Sequence, residues 1–174
     1  MFPNVRRSTG DVILSRSLAR EIAMKMLYSD LLNGNSTYMS VCEQMGIGGK
    51  AADPGSEDRA DGSAFDSFLS EDDVRYCEQI VHGVTDNAQY LDSIIGEHSC
   101  GWSVDRISRV DLCILRLCVY ELCFMPGIPH SASINAAVEL AKTFGGEKSY
   151  SFINGILGSI ERDHSKADDD SGND

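Results

Sequence analysis

Residues 107–124 read ISRVDLCILRLCVYELCF, the longest apolar run in the chain. At helical spacing, Ile107, Val110, Ile114, Leu117 and Cys118 mark one face. Leu112, Leu115, Val119 and Leu122 mark another. A helix that is apolar on most sides belongs at the centre of a helical core. Pro126-Gly127-Ile128-Pro129 stops it, because proline lacks the N–H and clashes with the preceding turn. Upstream, Trp102-Ser103-Val104-Asp105 reads as a hydrophobic staple and cap. Arg116 sits among apolar neighbours, where a bare charge is costly. It needs a partner, and Asp111, Glu121 and Glu139 are the candidates.

Working outward, the flanking segments are helical too. Ser131 or Ser133 caps a helix carrying Ile134, Ala137, Val138 and Ala141, which ends at the glycine cap of Phe144-Gly145-Gly146. The last helix runs from about Glu147 to Arg162, with Tyr150, Ile153, Leu157 and Ile160 inward. Gly155 and Gly158 lie inside it and predict a close neighbour, since helical glycine costs about 1 kcal/mol against alanine. On the other side, Ser70 caps a helix opening on Glu71, Asp72 and Asp73 and continuing through Val74, Cys77, Ile80, Val81 and Val84. Residues 87–99 form a further helix with Tyr90, Leu91, Ile94 and Ile95 inward. Ser15 to Leu32 is an amphipathic helix, capped by Ser15 or Ser17 and ended by Asn33-Gly34-Asn35. A short helix is expected at about 36–45. Strand patterns are absent. The expectation is an all-α fold of six or seven helices.

The chain has 174 residues, enough to bury a core without disulfides or metal. Its formal charge of −12 argues at first against nucleic acid. The charge is unevenly placed. Residues 1–25 carry Arg6, Arg7, Arg16, Arg20 and Lys25 against Asp11 and Glu21. Acids dominate 51–75 and 161–174 instead. Residues 46–67, rich in Gly, Asp, Ser and Ala without an apolar period, predict a disordered acidic insertion. Residues 1–14 predict a flexible basic arm, 15–162 the helical domain, and 163–174 a disordered acidic tail.

Several classes drop out. No run reaches the ~18 apolar residues of a membrane span, and the first residues lack a signal-peptide core. The cysteines (42, 77, 100, 113, 118 and 123) form no C-x-x-C pair. Buried thiols in a reducing cytoplasm are expected. Gly46-Ile47-Gly48-Gly49-Lys50 misses the phosphate-loop spacing. His82, His98, His130 and His164 make neither an H-E-x-x-H nor an E-x-x-H motif. Glu78 and His82 read as a surface pair. No catalytic constellation, cofactor site or metal site is expected.

Three segments together resemble the NusB family of bacterial transcription antitermination factors. The first is SLAREIAMKMLY (17–28), similar to the family's R-x-x-A-R-E-x-A-x-Q-x-L-Y opening. The second is Trp102 onward, with VDLCILRLCVYEL (110–122) similar to V-(D/E)-x-x-I-L-R-(L/I)-A-x-Y-E-L. The third is Ile128-Pro129 with INAAVELAKTFG (134–145) and SYSFINGIL (149–157). It resembles the family's I-P … I-N-E-A-V-E-L-A-K-x-F-(G/S) … S-x-x-F-(V/I)-N-G-(V/I)-L signature. The resemblance covers about 15–34 and 70–162. It implies two small packed helical bundles and no catalysis. It also implies binding of boxA-type single-stranded RNA in ribosomal RNA leaders, jointly with NusE, a small-subunit ribosomal protein. The assembly loads onto RNA polymerase and suppresses termination.

On this resemblance the RNA-binding residues are Arg16, Ser17, Arg20, Tyr28, Lys148, Ser149 and Phe152. Arg16 and Arg20 are four apart, on one helix face, where guanidinium groups can fork onto phosphates or stack on unpaired bases. Tyr28 and Phe152 are candidate stacking rings, with core packing the competing reading for each. The chain departs from the family in places. Ser17 and Leu18 stand where arginines are usual, with Arg6 and Arg7 upstream as substitutes. Ala136 replaces a glutamate, and Lys148 stands where an acid is common. Fewer phosphate contacts predict weaker binding and a shallower salt dependence. The thin arginine set and the acidic total keep a second reading open, an adaptor that binds NusE with little RNA affinity. A homodimer that covers the partner surface is also compatible with the resemblance.

Overall fold

The computed structural model describes residues 9–33 and 69–170. Arg6, Arg7, Cys42, the helix expected at 36–45, the 46–67 segment and residues 171–174 lie outside them. The described residues form six α-helices and no strand. They are α1 (Thr9–Asn33), α2 (Glu71–Asp86), α3 (Ala88–His98), α4 (Arg109–Phe124), α5 (His130–Phe144) and α6 (Ser149–Asp170), with a single 3₁₀ turn at Val104–Arg106 before α4. The all-α expectation holds. The chain divides into two compact units, Met1–Gln79 and Ile80–Asp174, the division falling inside α2.

In the first unit, α1 buries Ala19, Ile22, Ala23, Met24, Met26 and Leu27. Projected at 100° per residue, these positions cover an arc of about 200°, so α1 is wrapped on more than half its circumference. α1 starts at Thr9, so Ser15 and Ser17 lie inside the helix and not at its start. Part of the stretch read as a flexible arm is therefore helical. Leu69, Tyr76 and Cys77 are also buried in this unit. The Cys77 thiol donates to the Ala19 carbonyl at 3.2 Å. Ser70 caps α2 as expected. Its Oγ accepts from the Asp73 N–H at 3.2 Å and donates to Asp73 Oδ2 at 2.5 Å.

In the second unit α4 is central and packs on α3, α5 and α6. Ile114, Leu115, Leu117, Cys118 and Val119 are buried, as the apolar run required. The cap of α4 is Ser108, whose side chain accepts from the Asp111 N–H. The Trp102–Asp105 stretch is instead a turn, and Ser103 makes no side-chain cap. Arg116 pairs with Asp92 of α3, Nε to Oδ1 at 2.8 Å and Nη2 to Oδ2 at 2.7 Å. None of the three candidate carboxylates is its partner. Asp92 holds the guanidinium above its ordinary pKa against the opposing effect of burial. The fork geometry suits a bidentate pair.

Glycines fit α2 and α5 closely. A Cβ on Gly83 of α2 would overlap the Tyr120 ring. Gly145 ends α5 with an extended backbone, φ −83°, not the left-handed cap expected. Its role is close approach, because a Cβ there would meet the Ala141 carbonyl and the Ser149 side chain. Gly155 and Gly158 differ from expectation. Nothing lies within 4 Å of a Cβ at Gly155, and only the Arg162 guanidinium approaches one at Gly158. Pro129, not Ser131 or Ser133, precedes α5, and no side chain caps it. Ser133 is buried in the helix. Tyr90 and Tyr150, both expected inward, are about half exposed.

α6 continues to Asp170, past Arg162 and into the stretch read as a disordered tail. No glycine or proline stands between Arg162 and Ser171 to stop it. Two histidines tie α6 to its neighbours. His98 Nε2 lies 3.1 Å from Asp163 Oδ2, and His130 Nδ1 lies 2.7 Å from Glu161 Oε2.

Gly83 gives a test with an unusual sign. Glycine to alanine inside a helix ordinarily stabilises by about 1 kcal/mol. Here the Tyr120 ring occupies the space of the methyl group, and overpacking costs about 1–3 kcal/mol. Gly83→Ala is expected to lower the urea midpoint. An unchanged or raised midpoint contradicts the close α2–Tyr120 packing.

Candidate nucleic-acid interface

In the first unit, Arg16 and Arg20 share one face of α1, as their spacing required. Both guanidinium groups sit over the Tyr76 ring, at 4.3 Å and 6.0 Å from its centroid. Their environments differ. The Arg16 side chain is 32% exposed, with Nε 3.3 Å from Asp73 Oδ1. Arg20 is only 6% exposed. In projection it falls between Leu27 and Met24, inside the buried arc of α1. Its side chain is therefore part of the core of this unit and is not displayed as a surface cation. Arg16 keeps a solvent-facing edge while its charge is balanced by Asp73. Arg16 also lies two turns inside the helix, not near its amino end. Ser17 is exposed, and Tyr28 and Lys25 are half-buried. Lys25 is paired with Glu21 at 2.8 Å.

The second unit holds a cleft of about 730 Å³ where the 3₁₀ turn and the start of α4 meet the start of α6. Trp102, Arg106, Asp111, Lys148, Tyr150 and Phe152 are among its lining residues. Lys148 is exposed and Phe152 half-buried. Ser149 is 7% exposed, and its hydroxyl is engaged within the protein. It donates to Asp111 Oδ2 at 3.0 Å and accepts from the Gly146 N–H at 2.8 Å. That pair fastens the first turn of α6 to the first turn of α4. Ser149 therefore positions the first turn of the helix that lines the cleft. Asp111 Oδ1 is buried with no hydrogen-bond partner among the described residues.

The structure thus brings Lys148, Ser149 and Phe152 together in one unit, and Arg16, Ser17 and Arg20 on one helix in the other. Three residues of these sites are not among the contacts that the resemblance implies. Tyr76 lies in α2 under the arginines, and only its aromatic character marks it. Trp102 lies just before the 3₁₀ turn and Arg106 ends it, where no helical period singles them out. Trp102 meets Phe152 edge-on, ring centroids 6.3 Å apart.

Two thiols of α4, Cys113 and Cys123, are held protonated by burial. Burial pushes the Cys113 thiol up to about 12, the Arg116 charge acting in the opposite direction. Burial raises Cys123 as well. A thiol held protonated is a poor nucleophile. Among the described residues no His, Cys, Asp or Glu cluster could hold a metal ion. No described helix is long and apolar enough to cross a membrane.

The Ser149–Asp111 tie has a measurable consequence. Ser149→Ala removes both hydrogen bonds and leaves Asp111 without a donor. A buried group left unsatisfied costs about 1–3 kcal/mol. Thermal or urea unfolding of Ser149→Ala is expected to show a loss of that size, and a loss below about 0.5 kcal/mol contradicts the tie.

A sequence model of the NusB family matches residues 17–162. A transcription antitermination protein NusB from Clostridium botulinum (strain Kyoto / Type A2) is 37% identical over 148 residues, 84% of this chain and 99% of its own length. One from Acetivibrio thermocellus is 39% identical over 147 residues, 84% of this chain and 88% of its own. Among solved structures, T. maritima NusB superposes with a TM-score of 0.65 at 26% identity, covering 84% of this chain and 90% of that one. A chain in a crystal structure of antitermination factors NusB and NusE in complex with dsRNA gives 0.65 at 26% identity, covering 85% and 96%. With the matching helices, motifs and nearly full-length relatives in agreement, this chain belongs to the NusB family.

Proposed function

We propose that the chain is an RNA-binding transcription antitermination factor that holds boxA-type single-stranded RNA of ribosomal RNA leaders together with NusE. In that role it helps RNA polymerase resist termination, and no catalytic step is assigned to it. The observation that carries the reading is the cleft of the second unit, where Lys148 and Phe152 stand side by side with Arg106 and Trp102. Unpaired bases are held by aromatic stacking with cations on the adjacent phosphates. Arg106 and Lys148 make no ion pair among the described residues, whereas Arg16, Lys25, Arg75, Arg116, Lys142 and Lys166 all do. Cations without carboxylate partners are the ones free to meet phosphate.

In the first unit, Arg16 contributes its exposed edge and Tyr28 its half-exposed ring. Arg20 acts through Tyr76 and the core, not by direct contact. Sharing the RNA with a basic ribosomal protein offsets the chain's own −12 charge.

One observation favours the adaptor reading. Arg16 is already matched by Asp73, and Arg20 is buried, so α1 offers less free positive charge than its sequence suggests. A NusE pull-down with and without boxA RNA, repeated across salt, separates the two. The RNA-binding reading predicts that RNA increases NusE retention at low salt and that the increase fades as salt rises. NusE retention indifferent to RNA at every salt concentration selects the adaptor. Arg16→Ala is expected to weaken RNA binding with thermal stability kept. Arg20→Ala is expected to lower the melting temperature first. The reverse pattern contradicts the burial of Arg20.

A further inference from the structure

We infer that Trp102 and Arg106 form an additional nucleotide subsite of the second unit, Trp102 stacking on one unpaired base and Arg106 sharing its phosphate with Lys148. The inference rests on the RNA-binding reading above and extends its footprint onto residues 102–106, to which the resemblance assigned no RNA contact.

Four observations carry it. Trp102 is 57% exposed, an unusual state for an indole in a helical protein, and it lies on the wall of the cleft. Its contact with Phe152 is edge-on, 64° between the planes, so stacking surface is left open on the indole. Arg106 and Lys148 both line the same cleft without an ion pair among the described residues. Finally, the cleft is bounded by the amino terminus of the 22-residue helix α6. There the Ser149 N–H reaches the Gly146 carbonyl and the Phe152 N–H reaches Lys148. The N–H groups of Tyr150 and Ser151 have no acceptor among the described residues. Free N–H groups at a helix amino terminus favour a phosphate.

Glu147 lies on the rim and opposes an anion, but it is exposed and its charge is screened. An aromatic wall beside free cations and free N–H groups matches a nucleotide with an unpaired base.

Trp102 is the only tryptophan in the chain, so its emission reports on this subsite alone. The full chain is titrated with fluorescently labelled boxA RNA, anisotropy reporting binding and tryptophan emission reporting stacking. Binding is expected to quench or shift the emission with the same midpoint as the anisotropy change. Trp102→Ala is expected to weaken binding by at least about fivefold, and Trp102→Phe by less, since every base stacks on any flat ring. Arg106→Ala is expected to lower the slope of log affinity against log salt by about 0.7, one phosphate contact on a single strand. Trp102 is exposed, so unchanged helicity by circular dichroism is expected for its variants. RNA that binds by anisotropy while emission and the Trp102→Ala affinity stay unchanged overturns the subsite and leaves the RNA-binding reading standing. Absence of RNA binding at low salt, with NusE present, overturns both. Emission that responds to NusE alone and not to RNA assigns Trp102 to a protein contact and also overturns the subsite.

Discussion

The burial of α4 on nearly every side is the constraint from which the second unit follows. Ile114, Leu115, Leu117, Cys118 and Val119 leave no solvated stripe on the middle of this helix. Its polar groups must therefore find partners inside the fold. Arg116 finds the Asp92 carboxylate on α3, and Asp111 finds the Ser149 hydroxyl at the start of α6. Each of these ties fixes a neighbouring helix against α4. The second places the amino terminus of α6, with Lys148 and Phe152, next to the turn that carries Trp102 and Arg106. The cleft is thus a by-product of how a buried helix satisfies its own first turn.

The same logic separates residues that hold the site from residues that face a ligand. Ser149 resembles a family RNA contact, yet its buried hydroxyl donates to Asp111 and accepts from the Gly146 N–H within the protein. Arg20 resembles one too, yet it is core. Lys148 and Arg106 remain exposed without ion pairs among the described residues. The charge of −12 looks prohibitive for an RNA-binding protein only when it is read as a single number. Locally, what matters is whether a cation is matched. Arg16 is matched by Asp73, whereas the cleft cations are not.

Much of the fold was legible because helical periodicity survives in the apolar residues. α2, α3 and α4 fall within two residues of the expected bounds, and Ser70 caps α2 as its acids suggested. Capping was less legible. Thr9 opens α1 six residues before the first expected cap, and Pro129 stands where a serine was expected, because a serine inside a helix looks like one at its end. Long-range pairing was not legible at all. Arg116 had three carboxylates in plausible register and took a fourth, since a helix pattern does not state which neighbour lies against it. Arg20 was read as exposed because arginine usually is; the nearly 200° buried arc of α1 emerges only once Met24 is known to be buried as well as Met26 and Leu27. Trp102 reads as a staple in the sequence and is an exposed ring in the structure, because a turn has no period from which to read its facing.

The central claim is that the turn at 102–108 and the first turn of α6 together contact RNA. Amide hydrogen exchange of the full chain, with and without boxA RNA and NusE, tests it directly. The account predicts that RNA slows exchange in peptides covering 102–108 and 146–152, beyond any effect of NusE alone. Unchanged exchange in both segments under conditions where RNA is bound contradicts it.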